Sequence, residues 1–176
     1  SFLVDIDNLP ENIGEFLSSD VLIISIPPKL NRRDNPFEFL EKLVHFRKEV
    51  QKSPLTKVLY ISSTSVYGEN QGKVDEDTVP MPNSTRGEVL LLAEKEVLSW
   101  PKKVTILRFG GLVGKMRHPS FSLSGKKDLT NGKNPINLIH QEDCIEIILK
   151  IIEKDKWGMT FNGVAPFHPL KEEYYT

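Results

Sequence analysis

The chain has 176 residues, with 23 lysines and arginines balancing 24 aspartates and glutamates. This length predicts one domain with a sizeable core, and the balanced charge argues against nucleic acid as a partner. No apolar run approaches the length of about 18 residues that a membrane helix needs, and the first residues lack a signal-peptide pattern. The single cysteine, Cys144, excludes an internal disulfide. We therefore expect a reduced, cytoplasmic protein without a membrane partner.

The first half of the chain alternates between strand and helix patterns. In chain order, the predicted elements are a strand stub at Phe2–Val4, a helix at Leu9–Leu17, a buried strand at Val21–Ile26, a helix opened by Pro36 and a strand at Lys57–Ile61. Pro27-Pro28 ends the second strand because proline removes a ladder donor. The helix after Pro36 is predicted from apolar residues at helical spacing. These residues are Phe37, Leu40, Leu43, Val44 and Val50.

The second half continues the alternation. A polar loop at Gly68–Asn83 leads to a helix at about Thr85–Trp100, a strand at Val104–Phe109 broken by Gly110-Gly111, a loop at Gly114–Asn134, a strand at Ile136–Ile139, a helix at Glu142–Glu153 and a strand at Thr160–Val164. The apolar face of the helix after Thr85 comprises Val89, Leu90, Leu92, Ala93 and Val97, and that of the helix after Glu142 comprises Cys144, Ile145, Ile148, Leu149 and Ile152. Strands alternating with helices predict an α/β fold with a parallel sheet and helices on both faces.

Four hydroxyl side chains, Ser62, Ser63, Thr64 and Ser65, follow the apolar run Val58–Ile61. The run lacks polar alternation, which predicts a strand buried on both faces. In an open α/β sheet, ligands bind outside the carboxyl ends of the strands, where hydroxyls can bond a substrate or a cofactor. The alternative is a serine-threonine turn that only closes the strand.

Five segments match, in order, those of a known family. They are VLIISIPP (21–28), ISSTSVYG (61–68), RGEVLLLAEKEVL (86–98), LRFGGLVG (107–114) and NLIHQEDCIEIILKIIE (137–153). The chain resembles the atypical or extended short-chain dehydrogenase/reductases, in the branch similar to NAD-dependent epimerases and dehydratases. The resemblance implies a partial Rossmann-type doubly wound sheet in one domain over residues 1–176, with 115–135 and 155–176 forming loops on the substrate side.

The resemblance also implies a site. The cofactor would be NAD or NADP, and the substrate a small carbonyl or sugar-like metabolite that undergoes redox or epimerase-type chemistry. Cofactor-binding positions are Pro27, Ile61, Ser62, Phe109, Gly110 and Gly111. Catalytic positions are Ser63 and Thr64, and substrate-binding positions are Ser65, Arg86, Arg117 and His118. Relatives in this family pair through the active-site helix, so a homodimer is possible.

Two departures from the family pattern bear on activity. The glycine-rich phosphate-binding turn is absent, since the first glycine is Gly14. The first two strands of the fold are therefore expected to be missing, either because the chain is a fragment or through evolutionary loss. Arg86 and Leu90 stand where the family has the Tyr and Lys of Y-x-x-x-K. Arginine is a poor acid or base at neutral pH, so the alternative function is a non-catalytic dinucleotide-binding sensor or interaction module.

Other polar residues admit two interpretations each. Tyr67 could act as an acid, although packing at the strand exit is more common for such a residue. Arg108 could contact a ligand or form an internal ion pair, and Lys115 could bind an anion or lie in solvent. His140 with Asp143 is typical of a helix cap. The four histidines show no metal-ligand spacing, so no metal site is predicted.

Overall fold

The computed structural model describes residues 4–28, 35–69, 71–115, 117 and 132–174. Six strands are found, β1 (Val21–Ile24), β2 (Lys57–Ser63), β3 (Lys103–Phe109), β4 (Gly111–Val113), β5 (Leu138–His140) and β6 (Thr160–Gly163). The helices are α1 (Ile13–Phe16), α2 (Glu38–Lys52), α3 (Thr85–Leu98), α4 (Gln141–Glu153) and α5 (Lys171–Tyr174), and a 3₁₀ turn covers Thr64–Tyr67.

The main sheet has four strands in the order β1-β2-β3-β6. All three pairings are parallel, with Ile23 opposite Leu59 and Ser63 opposite Phe109. A separate parallel pair, β4 with β5, continues beyond the end of β3. The α/β fold with a parallel sheet is therefore confirmed, and the carboxyl ends of β1, β2, β3 and β6 meet along one edge.

The two faces of the main sheet have different cores. On one face, α2 and α3 pack against side chains that include Leu22, Val58, Tyr60 and Ile106. On the other face, α4 packs over Leu59, Leu107, Phe109 and Phe161. The alternation of side chains along each strand places these two sets on opposite faces. Helices thus cover both faces, as the sequence pattern predicts.

The bounds of several predicted elements change. Val4 is outside any strand, and residues 1–3 of the predicted stub lie outside the described residues. The first helix is shorter than predicted, Ile13–Phe16, and starts after Pro10. The strand predicted to end at Ile61 continues to Ser63, so two of the four hydroxyl residues belong to the strand itself. None of the helices in the described ranges combines the length and apolar character that a bilayer crossing requires.

The inner face of α2 differs from the predicted one. Its buried residues are Phe39, Leu43, Phe46 and Val50, whereas Phe37 and Val44 are exposed. Phe46 packs edge-on against Trp100, with ring centroids 6.0 Å apart. The two phenylalanines complete a regular i, i+4, i+7, i+11 stripe, and this stripe buries more aromatic area than the predicted one.

The predicted burial of three other elements also needs correction. On α4, Ile145, Leu149 and Ile152 are exposed instead of inward. On α3, Leu92 is exposed. On β1, Ile23 is exposed on the α4 face, because β1 is an edge strand and no described helix covers it there.

Candidate functional site

The hydroxyl row begins inside β2 and continues into the 3₁₀ turn. Ser62 is buried, and its Oγ donates a hydrogen bond to Glu94 Oε1 on α3, at 2.5 Å. Ser63 is half-buried, and its Oγ accepts the Ser65 N–H at 3.2 Å. Ser63 therefore closes the strand as the turn interpretation predicted. The catalytic and cofactor roles of these two residues stay predictions.

The first turn of α3 packs directly against the hydroxyl row. Ser84 caps α3 by accepting the Gly87 N–H. A Cβ atom at Gly87 would lie 2.7 Å from the Ser65 carbonyl oxygen and 2.8 Å from Pro82 Cβ, so only glycine allows this approach. The Ser65 hydroxyl is buried and has no hydrogen-bond partner among the described residues.

Arg86 and Leu90, which the sequence resemblance places at the Tyr and Lys positions, have contrasting environments. Arg86 is exposed in the first turn of α3, and no ion pair joins it to any other described residue. Leu90 is only 4% exposed and packs with Val66 and Tyr67. The position where the family has a cationic lysine is therefore apolar and occupied by core packing.

A buried polar network lies between α3 and the carboxyl end of the sheet. Arg108 on β3 binds Glu94 through two nitrogens, with Nε to Oε1 at 3.0 Å and Nη2 to Oε2 at 2.7 Å. Its Nη1 donates to the Tyr67 hydroxyl at 2.7 Å, and that hydroxyl donates to Asn162 Oδ1 at 3.1 Å. The Asn162 N–H donates to Glu76 Oε1 at 2.7 Å, which ties the loop before α3 to β6.

The network satisfies the charge of Arg108 inside the protein. Burial opposes the charged form, but the hydrogen bonds from the guanidinium to Glu94 and Tyr67 outweigh burial and raise the pKa of Arg108. The guanidinium also lies over the Tyr67 ring, 4.9 Å from its centroid. The ion-pair interpretation of Arg108 is therefore confirmed, and Tyr67 is held in packing.

Glu94, Glu76 and Asn162 were missed as site residues by the sequence reasoning. A signal existed for Glu94, because it is an acid on the inner face of an apolar helix while Arg108 is a base within an apolar strand. Charged residues in buried patterns require partners. Glu76 and Asn162 are 86 positions apart, and neither interrupts an apolar pattern, so nothing local indicates their contact.

At Gly110 and Gly111 the chain lies close to the backbone of Asn137. The Gly111 N–H donates to the Asn137 carbonyl at 2.7 Å, and a Cβ at Gly110 would lie 2.9 Å from the same oxygen. Phe109 is buried, and its ring fills the space beside Gly163. These residues thus fix the start of β4 against the segment before β5, and their cofactor role stays a prediction.

A cavity of about 240 Å³ lies at the carboxyl end of β1. Ile26 and Pro27 line it together with residues 4–7 and with α2. Lys42 on its wall pairs with Asp7 and, at 2.7 Å, with Glu38. Of the predicted cofactor positions, Pro27 alone lines this cavity. A larger, open depression of about 550 Å³ lies at the amino ends of β2 and β3, away from the hydroxyl row.

The remaining predicted residues lie in β2, in the 3₁₀ turn and after β4, and one lies outside the described ranges. Ile61 is half-buried on the α4 face, and Thr64 is half-buried in the 3₁₀ turn. Arg117 is exposed, and His118 lies outside the described residues. His140 caps α4 through Nδ1, which accepts the Glu142 N–H, so its capping role is confirmed.

Comparison with curated proteins gives one relative in two strains. Protein YeeZ of Escherichia coli K12 is 32% identical over 166 residues, which is 94% of this chain and 60% of YeeZ. The same protein from Escherichia coli O157:H7 matches equally. The chain therefore spans about 60% of the length of the curated relatives it matches. No model of a known protein family matches the sequence.

Solved structures show the same fold at lower sequence identity. A putative NAD-dependent epimerase/dehydratase from Methylobacillus flagellatus superposes with a TM-score of 0.79 at 21% identity, covering 98% of this chain and 63% of its own. A UDP-glucuronic acid 4-epimerase from Bacillus cereus, solved with NAD, gives 0.73 at 22%, covering 95% and 60%. These likenesses show that the described sheet and helices form a part of a Rossmann-like α/β fold.

Proposed function

We propose that this chain is the nicotinamide-side part of an NAD(P)-binding protein similar to the epimerase and dehydratase branch of the short-chain dehydrogenase/reductases. The observation that carries the proposal is the placement of the hydroxyl row. The hydroxyl row lies at the carboxyl end of the central strand β2, at the edge of the parallel sheet, and packs against the first turn of α3. Ligands of such sheets bind outside this edge. A structure of the same fold contains NAD.

Five of the predicted residues have a proposed role in this arrangement. Ile61 and Pro27 would contact the nicotinamide half of the cofactor, and Ser63 and Thr64 would hydrogen-bond a substrate oxygen. Arg86, with no ion-pair partner among the described residues, would hold an anionic group of a small sugar-like substrate. When bound, the dinucleotide supplies hydride transfer, and this chain's residues orient the substrate beside it.

A second candidate function is a dinucleotide-binding module without catalysis. The environment of Leu90 favours it, because a buried leucine beside Val66 and Tyr67 can neither carry charge nor hydrogen-bond a ribose. Arginine as a residue type is a poor acid or base at neutral pH, so it does not replace the proton exchange of tyrosine. Both candidate functions require binding of the dinucleotide cofactor, and they differ only in whether the protein converts a substrate.

Fluorescence titration of the complete gene product with NADH and with NADPH tests the proposal. We expect saturable binding of at least one of the two. Ser63→Ala is expected to weaken substrate use, and Thr56→Ala at the opposite end of β2 is the matched control because that hydroxyl is exposed far from the carboxyl edge. Binding without turnover on any sugar nucleotide would favour the sensor, and no binding of either dinucleotide would overturn both.

A further inference from the structure

Residues 71–83, which lead from the 3₁₀ turn to α3, form a loop whose two ends lie together. Just before this loop, Gly68 has a φ of 75°, and a Cβ atom there would collide with the Met81 carbonyl oxygen. Within the loop, Gln71 Nε2 donates to the Val79 carbonyl at 2.9 Å. Loops whose ends meet and whose side chains bond one another are compact units of the Ω type. The position of such a loop depends on the contacts that it makes outside itself.

One hydrogen bond joins the 71–83 loop to the sheet. Glu76 Oε1 accepts the Asn162 N–H of β6 at 2.7 Å, and no other hydrogen bond links this loop to the rest of the described chain. Val74 adds an apolar contact with the cluster that contains Tyr67 and Leu90. An ionised acceptor makes a stronger hydrogen bond to an N–H than a neutral acceptor does. Glu76 is therefore the polar group that fixes the loop relative to β6.

The end of the 71–83 loop sets where α3 begins. The loop residue Pro82 and the Ser65 carbonyl both contact Gly87, since a Cβ atom at Gly87 would lie 2.8 Å from Pro82 Cβ and 2.7 Å from that oxygen. Ser84, which follows the loop, caps α3 by accepting the Gly87 N–H at 3.2 Å. A displacement of the loop would therefore move the first turn of α3, which carries Arg86, relative to the hydroxyl row.

The hydrogen bond of Glu76 is also connected to the middle of α3. The Asn162 side chain accepts the Tyr67 hydroxyl at 3.1 Å, and Tyr67 in turn accepts Arg108 Nη1 at 2.7 Å. Arg108 then binds Glu94 of α3 through two nitrogens. Glu94 is buried whereas Glu76 is exposed. The Glu76 end of this series is therefore the end that can open locally, because hydrogen bonds exposed to solvent open at low cost.

We propose that Glu76 is a positioning residue, which holds Arg86 at a fixed distance from the hydroxyl row by fixing the 71–83 loop to β6. This inference rests on the proposed function, in which Arg86 holds an anionic group of the substrate while Ser63 and Thr64 bond a substrate oxygen. Two groups act together on one substrate only when their separation is fixed. Glu76 has this effect through the loop and does not itself touch the substrate.

Amide hydrogen exchange in the complete gene product tests the role of Glu76. In Glu76→Ala, which lacks the acceptor, the amides of Asn162 and Gly87 are expected to exchange roughly tenfold faster than in the wild type. The amides of Leu59 and Ile106 in the core of the sheet are expected to keep their rates. In Glu76→Gln the side-chain carbonyl can still accept the Asn162 N–H, so exchange is expected to be slow again.

Asp77→Ala is the matched control. The Asp77 carboxylate is exposed on the neighbouring residue, and its side chain makes no hydrogen bond to any described residue. Its removal changes the charge of the loop by the same amount as Glu76→Ala does, but it leaves the bond to β6 in place. The amides of Asn162 and Gly87 are therefore expected to exchange in Asp77→Ala as they do in the wild type.

Three results would overturn the proposal. One is unchanged exchange at Gly87 in Glu76→Ala, which would show that α3 keeps its place without this hydrogen bond. Another is faster exchange of Leu59 and Ile106 as well, which would give Glu76 a general role in stability. The third is exchange in Glu76→Gln as fast as in Glu76→Ala.

NADH titration of the same proteins separates this inference from the proposed function. Binding of NADH by the wild type and by Glu76→Ala with similar affinity is expected, because the predicted cofactor positions Pro27 and Ile61 lie outside the 71–83 loop. Absence of NADH and NADPH binding in every protein, together with the expected exchange pattern, would overturn the proposed function and leave the placement of α3 by Glu76 standing.

Discussion

Tyr60 carries a hydroxyl that the core does not satisfy. The residue is fully buried on β2, and its Oη has no hydrogen-bond partner among the described residues. Burial, with the nearby charge of Glu94, raises the pKa of Tyr60 and keeps the phenol neutral. Tyr60→Phe retains the ring and removes the unsatisfied group, so we expect the free energy of unfolding to rise by about 1 kcal/mol.

Urea denaturation measures this effect, with Tyr67→Phe as the control. The Tyr67 hydroxyl bridges Arg108 and Asn162, so its removal is expected to destabilise the protein. Equal destabilisation by the two substitutions would show that the Tyr60 hydroxyl has a partner in solution.

Asp155 is expected to make the stability of the folded protein depend on pH in the acid range. The hydrogen bond from Lys57 Nζ, 2.6 Å long, holds the pKa of Asp155 below its ordinary value. A carboxyl group whose pKa is lowered by folding stabilises the protein above its unfolded value of about 3.9, and this contribution is lost as the pH falls through the lower folded value. Asp155→Asn is expected to lower the melting temperature at pH 7 and to have a smaller effect at pH 3.

Asparagine is the suitable replacement because Asp155 has a φ of 51°, a left-handed conformation that asparagine tolerates. Asp20→Asn serves as the control, since no ion pair joins Asp20 to another described residue. A Tm difference between wild type and Asp155→Asn that is the same at both pH values would contradict the ion-pair explanation.

At the scale of elements, Glu94 on α3 and Arg108 on β3 join a helix to the sheet. Both side chains are nearly inaccessible to solvent, so removing one charge leaves the other unpaired in a medium that solvates it poorly. Glu94→Gln is expected to lower the free energy of unfolding by about 3–5 kcal/mol. The double variant Glu94→Leu/Arg108→Met is expected to lose less than the sum of its two single variants.

A double-mutant cycle in urea measures the coupling between the two residues. Additive losses would show that each residue acts separately. Glu96→Gln is the control, because Glu96 also lies on α3 but pairs with Arg47 in a more exposed position.

The existence and order of most elements were predictable, whereas their exact bounds and inner faces were not. Apolar runs located β1, β2 and β3, and the prolines after β1 and the glycines after β3 marked where those two strands end, since such residues interrupt a ladder. The face that α2 buries depends on its tertiary partners, and Phe46 packs there against Trp100. On α4, Ile145, Leu149 and Ile152 fit an inward stripe equally well, and they are exposed because no other described helix packs beside α4 on that face of the sheet.

The position of the hydroxyl row was predictable, but the direction of its side chains was not. The sequence placed Ser62 and Ser63 at the end of a buried strand, where they are found. Alternation then sends neighbouring side chains to opposite faces, so Ser62 bonds Glu94 beneath α3 while Ser63 caps the 3₁₀ turn. The faces that Ser62 and Ser63 take depend on the length of β2, because β2 continues two residues beyond Ile61, its last apolar residue.

Across the whole molecule, alternation of strands and helices was sufficient to predict the parallel main sheet. It did not predict that β4 and β5 form a second, separate pair, because runs of three residues carry too little periodicity. Nor does alternation report how many helices each face receives. Among the described residues, two helices pack on one face of the main sheet and one helix packs on the other.

The second strand pair has a consequence for how this protein can change in sequence. β4 pairs with β5 from Gly111–Leu138 to Val113–His140, so the chain leaves and returns at neighbouring points. The β4–β5 pairing therefore holds the two ends of this connection together, and this pairing is separate from the four-stranded sheet. Insertions or deletions between Gly114 and Asn137 would therefore leave the pairings of β3 and β6 in place. Homologues with different ligands are therefore expected to diverge in length here first.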